Sequence, residues 1–430
     1  MILVVNPSCL SGSVTVPGSK SHTIRAIAGA LLSEGESSIH SPLLSEDTIS
    51  TLNAAVQLGA SAVQAPGVWQ ITGCGGKFCT PDKIVDMGNS GTGLRMLTAI
   101  AALHDCPVTF SGDESLCKRG MKPLLDALSL LDVQVHAAAG GHAPLSVCGP
   151  MSPGKTQVEA LCSQYLTALL FAAPLVRGGF VEIDVTELSE EPYVEITLNY
   201  LRKLGVEFEA RADRKYFRIP GNQRLQPLNC TIPADFSTAA FPLGAGILAG
   251  CGSGIKILNL DFNDAQGDKA VFGMLENLGA KLQYNSDNSV TVLPGSTLHS
   301  GKLDLSQTPD ALPLLAAVAA AAPEGTVITL GNAAQARNKE TDRIAGMTRE
   351  LRKMGARIEE LPDGMIIYGT QLHGSEVDSC KDHRLAMALA TAALSADSPT
   401  RILDAESCAV TYPDFIADFK KLGADFSCID

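Results

Sequence analysis

The sequence predicts an α/β protein of two similar domains, each assembled from three repeated units, with a ligand cleft between the halves. Three observations carry this. The chain has 430 residues, more than one hydrophobic core usually organises. One helix ending returns six times at nearly constant spacing. Between those endings lie Ala-rich helices that open on polar clusters, and β-branched runs that read as strands.

The repeated ending is a large apolar residue, Gly, and a small apolar residue that starts a strand. Its copies are Leu58-Gly59-Ala60, Leu131-Asp132-Val133, Leu204-Gly205-Val206, Leu278-Gly279-Ala280, Met354-Gly355-Ala356 and Leu422-Gly423-Ala424, with middle residues 73, 73, 74, 76 and 68 positions apart. Glycine suits the left-handed position after a helix, so each copy closes a helix, and Asp132 replaces glycine in one of them. Six copies imply a repeated unit of about 72 residues.

Each unit also holds an earlier helix with a polar opening: Ser19-Lys20-Ser21, Asn89-Ser90-Gly91-Thr92, Cys162-Ser163-Gln164, Asp235-Phe236-Ser237-Thr238, Thr308-Pro309-Asp310 and Asp382-His383-Arg384. The Ala-rich bodies read as helices buried on most sides. Ordinary capping by Ser, Thr, Asp and Asn would explain any single copy. It does not explain the Lys, Arg and His at several of them, which the helix dipole disfavours unless an anion compensates. Runs such as Ser13-Val14-Thr15-Val16 and Thr326-Val327-Ile328-Thr329 supply strands. Pro, Gly, Asn and Gln cluster from Pro220 to Pro233, the best linker between three units and three.

Composition narrows the function. A formal charge of −13 disfavours nucleic acid and anionic membranes as partners, leaving any basic function local. The apolar run Leu312 to Ala322 is far shorter than a membrane span. Asn6 and Pro7 interrupt any secretory segment, so a cytoplasmic protein is expected. Twelve cysteines without a Cys-x-x-Cys pair match neither a disulfide framework nor a zinc site and read as free thiols; no metal is expected.

The charged motifs converge on anion binding. Lys20 and Arg25 can face one cavity only if Lys20 opens its helix. Gly88-Asn89-Ser90-Gly91-Thr92-Gly93-Leu94-Arg95 is a turn with room for a phosphate against the backbone. Lys118-Arg119 follows the acidic Asp113-Glu114, and Arg337-Asn338-Lys339-Glu340-Thr341-Asp342-Arg343 would by itself be a solvated face. Asp382-His383-Arg384 opens a helix that is apolar all round, which argues against solvation there.

Taken with Glu-Pro-Tyr-Val-Glu-Ile-Thr-Leu-Asn at 191–199, these motifs resemble the EPSP synthase family of enolpyruvyl transferases along essentially the whole chain. The resemblance implies two domains, each of three βαβαββ units around buried helices, over 18–228 and over 1–17 plus 229–430. It implies transfer of the enolpyruvyl group of phosphoenolpyruvate to the 5-hydroxyl of shikimate 3-phosphate, without a cofactor, by a monomer. The implied phosphoenolpyruvate site is Lys20, Asn89, Gly91, Thr92, Arg119, Gln164, Arg343 and Arg384. That for shikimate 3-phosphate is Lys20, Ser21, Arg25, Cys162, Ser163, Gln164, Tyr193, Asp310, Gln335 and Lys339. Asp310, Glu340, Lys20 and His383 are the implied catalytic groups, and Gly91 resembles the glycine that leaves space for the herbicide glyphosate.

The chain departs from the family pattern at Cys162 and Glu190, where Ser is usual, at Gln335 for Asn, and at Val410 for Lys. A carboxylate beside a phosphate is repulsive unless turned away or paired with a cation. A transferase acting on UDP-N-acetylglucosamine is the alternative; it would carry Lys-Asn where Lys20-Ser21 stands and a reactive Cys spaced differently from Cys117.

Overall fold

The computed structural model describes residues 1–429, and the chain forms two compact units, Gly18–Ile232 and Met1–Pro17 with Pro233 onward. Each unit holds three four-stranded sheets, each with one parallel pair and two antiparallel pairs; in the repeat over 154–220 the parallel strands are joined through an inner helix and the antiparallel strands are reached through an outer helix.

The inner helices are Lys20–Leu32, Gly91–Ala101 and Ser163–Ala172 in the first unit, and Phe236–Ala249, Leu312–Ala320 and His383–Ala393 in the second. Their Ala-rich bodies are buried nearly throughout, because small side chains let helices and sheets approach on every side. The polar openings therefore stand at the helix N-termini, where free backbone N–H groups point. Lys20 is the first residue of its helix, as the spacing to Arg25 requires.

The outer helices, Glu46–Gln57, Lys122–Ser129, Glu191–Lys203, Ala270–Asn277, Arg343–Lys353 and Phe415–Leu422, close on the repeated ending. Gly59, Gly205, Gly279, Gly355 and Gly423 all have positive φ, and Asp132 adopts the same conformation at 64°. In all six, the following N–H reaches back five residues: Ala60 to Ala55, Val133 to Leu128, Val206 to Leu201, Ala280 to Leu275, Ala356 to Leu351 and Ala424 to Phe419. This is the bond pattern of a left-handed helix cap, and it turns each helix into its strand.

Three repeats are completed across long stretches of sequence. Asn229–Thr231 pairs in parallel with Glu34–His40, which carries the first unit on to Ile232 where the sequence reading ended it at 228. Leu10–Thr15 pairs in parallel with Gly250–Leu258. Ile2–Asn6 lies between Thr400–Leu403 and Asp425–Ile429, antiparallel to both.

One expectation fails. Cys9 and Cys251 form a disulfide with Cα atoms 5.8 Å apart, while the other ten cysteines among the described residues are not disulfide-bonded. Leu10 pairs with Gly250 in the parallel ladder, and this places the two thiols side by side although 242 positions separate them.

Candidate active site

In the second unit, three helix openings meet at Asp310. It follows Pro309 in a short 3-10 turn that leads into the Leu312–Ala320 helix. Arg343 Nη1 lies 2.8 Å from Asp310 Oδ1, Lys339 Nζ 3.3 Å from the same oxygen, and Arg384 Nη2 3.5 Å from Oδ2. Arg343 is 1% exposed and also binds Glu340 through Nη2 at 2.6 Å and Asp382 through Nε at 2.8 Å. Asp382 in turn caps the next helix by accepting from the Arg384 N–H at 2.8 Å. His383 is buried behind this network, with Nδ1 4.0 Å from Asp382.

Burial alone would raise the Asp310 carboxyl, but Lys339, Arg384 and Arg343 hold it far below the usual carboxylate range. Asp268 has the opposite fate: burial pushes it up to about 6, and the charge of Asp310 adds to the shift. Asp268 accepts from the Ser237 hydroxyl, and Gln266 accepts from the Phe236 N–H, so the 266–268 turn holds the opening of the Phe236–Ala249 helix.

In the first unit, Lys20 Nζ donates to Asp47 Oδ2 at 3.0 Å, and Thr51, on the same helix as Asp47, hydrogen-bonds Ser90 at the Gly91 opening. Arg119 donates to the Asn89 side chain and, at 3.4 Å, to its carbonyl. Arg95 Nη1 donates to Gln164 Oε1 at 2.9 Å. A Cβ at Gly91 would stand 2.7 Å from Arg95 Nη1 and 2.9 Å from Arg119 Nη1, so glycine is what lets both guanidinium groups approach the turn. Thr92 follows in the same first turn.

Arg25 is sealed deeper. It donates to the carbonyls of Ser21 and Tyr193 and to the hydroxyls of Thr197 and Thr167, at 3.0 to 3.4 Å. Burial lowers its pKa to about 10. Ser163, first in its helix after Cys162, donates through Oγ to Glu190 at 3.0 Å.

The charged 337–343 run divides. Arg337 turns to Asp342, Glu360 and the carbonyls of Leu361 and Pro362, away from Asp310, whereas Lys339, Glu340 and Arg343 join the cluster. Gln335 is half-buried in the turn just before it. Sequence reasoning gave no role to Asp47, Arg95 or Asp268. Asp47 lies in a capped acidic first turn that reads as ordinary helix chemistry, and Arg95 was visible only as the end of the glycine-rich motif. Apart from these clusters, His104, Asp105 and Cys106 bring three metal-competent atoms within 4.8 Å of one another, with His104 Nε2 bonded to Thr80 at 2.8 Å.

Helix openings lined by Lys and Arg, with carboxylates bridged by a buried arginine, suit an enzyme that acts on small, multiply charged anions. The sequence profile of EPSP synthase (3-phosphoshikimate 1-carboxyvinyltransferase) matches residues 4–419. A 3-phosphoshikimate 1-carboxyvinyltransferase of Acetivibrio thermocellus is 42% identical over 428 residues, 99% of each chain, and one of Halobacterium salinarum is 40% identical over 432 residues, 99% of each. The EPSP synthase structure from Acinetobacter baumannii superposes with a TM-score of 0.82 at 26% identity over the whole of both chains. The chain therefore belongs to the EPSP synthase family. It is an enolpyruvyl transferase of the shikimate pathway, and the UDP-N-acetylglucosamine alternative is not favoured. No helix among the described residues is long and apolar enough to cross a membrane.

Proposed function

We propose that the residues above carry out addition and elimination between phosphoenolpyruvate and the 5-hydroxyl of shikimate 3-phosphate. Asp310 takes the hydroxyl proton as the oxygen bonds to C2 of the enol, and Glu340 delivers a proton to C3. Glu340 then removes a proton from C3, the C2–O bond to phosphate breaks, and Lys20 stabilises the departing phosphate. His383 orders Asp382 behind Arg343. Arg119, Arg343, Arg384 and Gln164, with the Asn89–Thr92 turn, hold phosphoenolpyruvate. Ser21, Cys162, Ser163, Tyr193, Gln335 and Lys339 hold the acceptor, and Arg25 adds its charge from behind.

The observation that carries this reading is the bridging of Asp310 and Glu340 by Arg343, at 2.8 and 2.6 Å. Two carboxylates on one guanidinium give the acid and the base that a single addition needs. Asp310 so strongly neutralised is a weak base. Substrate phosphate and carboxylate groups compete for Lys339 and Arg384, and as these cations turn to substrate Asp310 gains basicity. Under the same reading the enzyme is a cytoplasmic monomer, which light scattering of the purified protein tests.

The deciding assay measures inorganic phosphate released from phosphoenolpyruvate. Release with shikimate 3-phosphate supports the reading. Absence there, with release on UDP-N-acetylglucosamine or another hydroxyl compound, overturns it.

A further inference from the structure

We propose that Glu190 occupies the seat of the acceptor's phosphate and is displaced from it whenever a phosphorylated acceptor binds. The inference rests on the acceptor reading just given and adds a specificity residue to it.

Glu190 links the Phe180–Leu188 strand to the Glu191–Lys203 helix, with its backbone in the left-handed region at φ 56°. A carboxylate in such a link would ordinarily face water, yet Glu190 is 3% exposed. Its Oε2 accepts from the Ser163 hydroxyl at 3.0 Å and lies 3.4 Å from the Ser163 N–H. Those donors open the Ser163–Ala172 helix, where the Cys162 side chain makes no capping bond. The Arg25 guanidinium lies behind this opening, donating to Thr167 one turn into the same helix at 3.4 Å and to the Tyr193 carbonyl at 3.1 Å. The carboxylate thus has what a bound phosphate would need: a hydroxyl donor, a helix N-terminus and a buried cation.

The main chain around it is held. Ser189 N–H bonds the Ala160 carbonyl, and Tyr193 N–H bonds the Glu190 carbonyl, each at 3.0 Å. With the main chain pinned, a phosphate that takes the Ser163 donors displaces Glu190 by a movement of its side chain. A carboxylate and a phosphate cannot share them, since their charges repel. A phosphorylated acceptor must evict Glu190, whereas an unphosphorylated one need not. Glu190 accordingly weakens binding of shikimate 3-phosphate relative to shikimate.

The test is steady-state kinetics of Glu190→Gln and Glu190→Ser at saturating phosphoenolpyruvate, with shikimate as an unphosphorylated competitor and circular dichroism as the check on folding. The expected result is a KM for shikimate 3-phosphate lowered at least tenfold in Glu190→Ser and severalfold in Glu190→Gln. The kcat, the KM for phosphoenolpyruvate and the inhibition constant of shikimate should stay within about twofold. An unchanged or higher KM for shikimate 3-phosphate in both folded variants overturns the inference and leaves the acceptor reading standing. Absence of turnover with shikimate 3-phosphate in the unaltered enzyme overturns both.

Discussion

The two units have one architecture but hold their buried arginines differently. Around Asp310, the cations Lys339, Arg343 and Arg384 face the carboxylates Asp310, Glu340 and Asp382 at ion-pair distances. In the other unit Lys20 pairs with Asp47, while Arg25, Arg95 and Arg119 donate to neutral groups: carbonyls, hydroxyls and the side-chain amides of Asn89 and Gln164. Neutral acceptors orient a guanidinium without cancelling its charge. The same six-part scaffold thus seats its arginines on carboxylates in one unit and largely on neutral acceptors in the other.

The sharpest way to break this contrast is to remove the acids. Asp310→Asn and Glu340→Gln should each lower kcat about 10²- to 10⁴-fold with the fold intact by circular dichroism. Near-normal turnover in either would refute its assigned role. Next in size is Arg343→Met, which leaves three carboxylates without their shared partner. It should cost about 3–5 kcal/mol, read from urea unfolding, because a buried pair broken on one side leaves uncompensated charge.

Asp268 tests the contrast through pH. Its folded pKa, about 6, lies above its ordinary value of 3.8, so the unfolded chain ionises first and stability declines as pH rises from about 4 to 6. Asp310 has the opposite sign. Its depressed pKa contributes stability that is fully present above the unfolded value and lost only in strong acid as pH falls through the folded one. Between pH 5 and 7 Asp310 is therefore constant. Asp268→Asn should remove the decline and be more stable than the parent at pH 7 by up to about 3 kcal/mol. A parallel pH–stability curve in the variant would rule the shift out.

In the other unit, Gly91→Ala should push the Arg95 and Arg119 guanidinium groups from the turn and raise the KM for phosphoenolpyruvate about tenfold, the effect of weakening a charge-assisted bond. The KM for shikimate 3-phosphate should not move, and inhibition by glyphosate should be relieved. Equal inhibition of both proteins would count against that reading. The smallest effect is Asp132→Gly. It relieves a non-glycine residue at φ 64° and should raise stability by about 1 kcal/mol in thermal unfolding.

What the sequence disclosed and what it withheld follow from distance along the chain. Helix endings and openings are local, and they could be read because a left-handed cap or a first turn needs particular residues at fixed offsets. Even Asp132 behaves as its place in the repeat requires. Pairings between remote segments left no such trace. Lys20 finds Asp47 and Ser163 finds Glu190, each 27 positions away, while the Cys9–Cys251 bridge depends on a strand register that composition does not encode. Arg337 and Arg343 look equivalent in the charged run, yet one meets the 360–362 strand end and the other is enclosed by three carboxylates.

The strand Ile2–Asn6 has one more consequence, for synthesis on the ribosome. Its neighbours in the sheet are Thr400–Leu403 and Asp425–Ile429, so this strand must wait for partners made only after about 400 further residues. At about 5–20 residues per second, that delay is roughly 20 to 80 seconds. Meanwhile Gly18–Ile232 is contiguous and can fold as soon as it emerges. The nascent chain then carries a finished unit together with an apolar strand that lacks its sheet partners, and chaperone capture or mispairing during that interval should be aimed at residues 2–6.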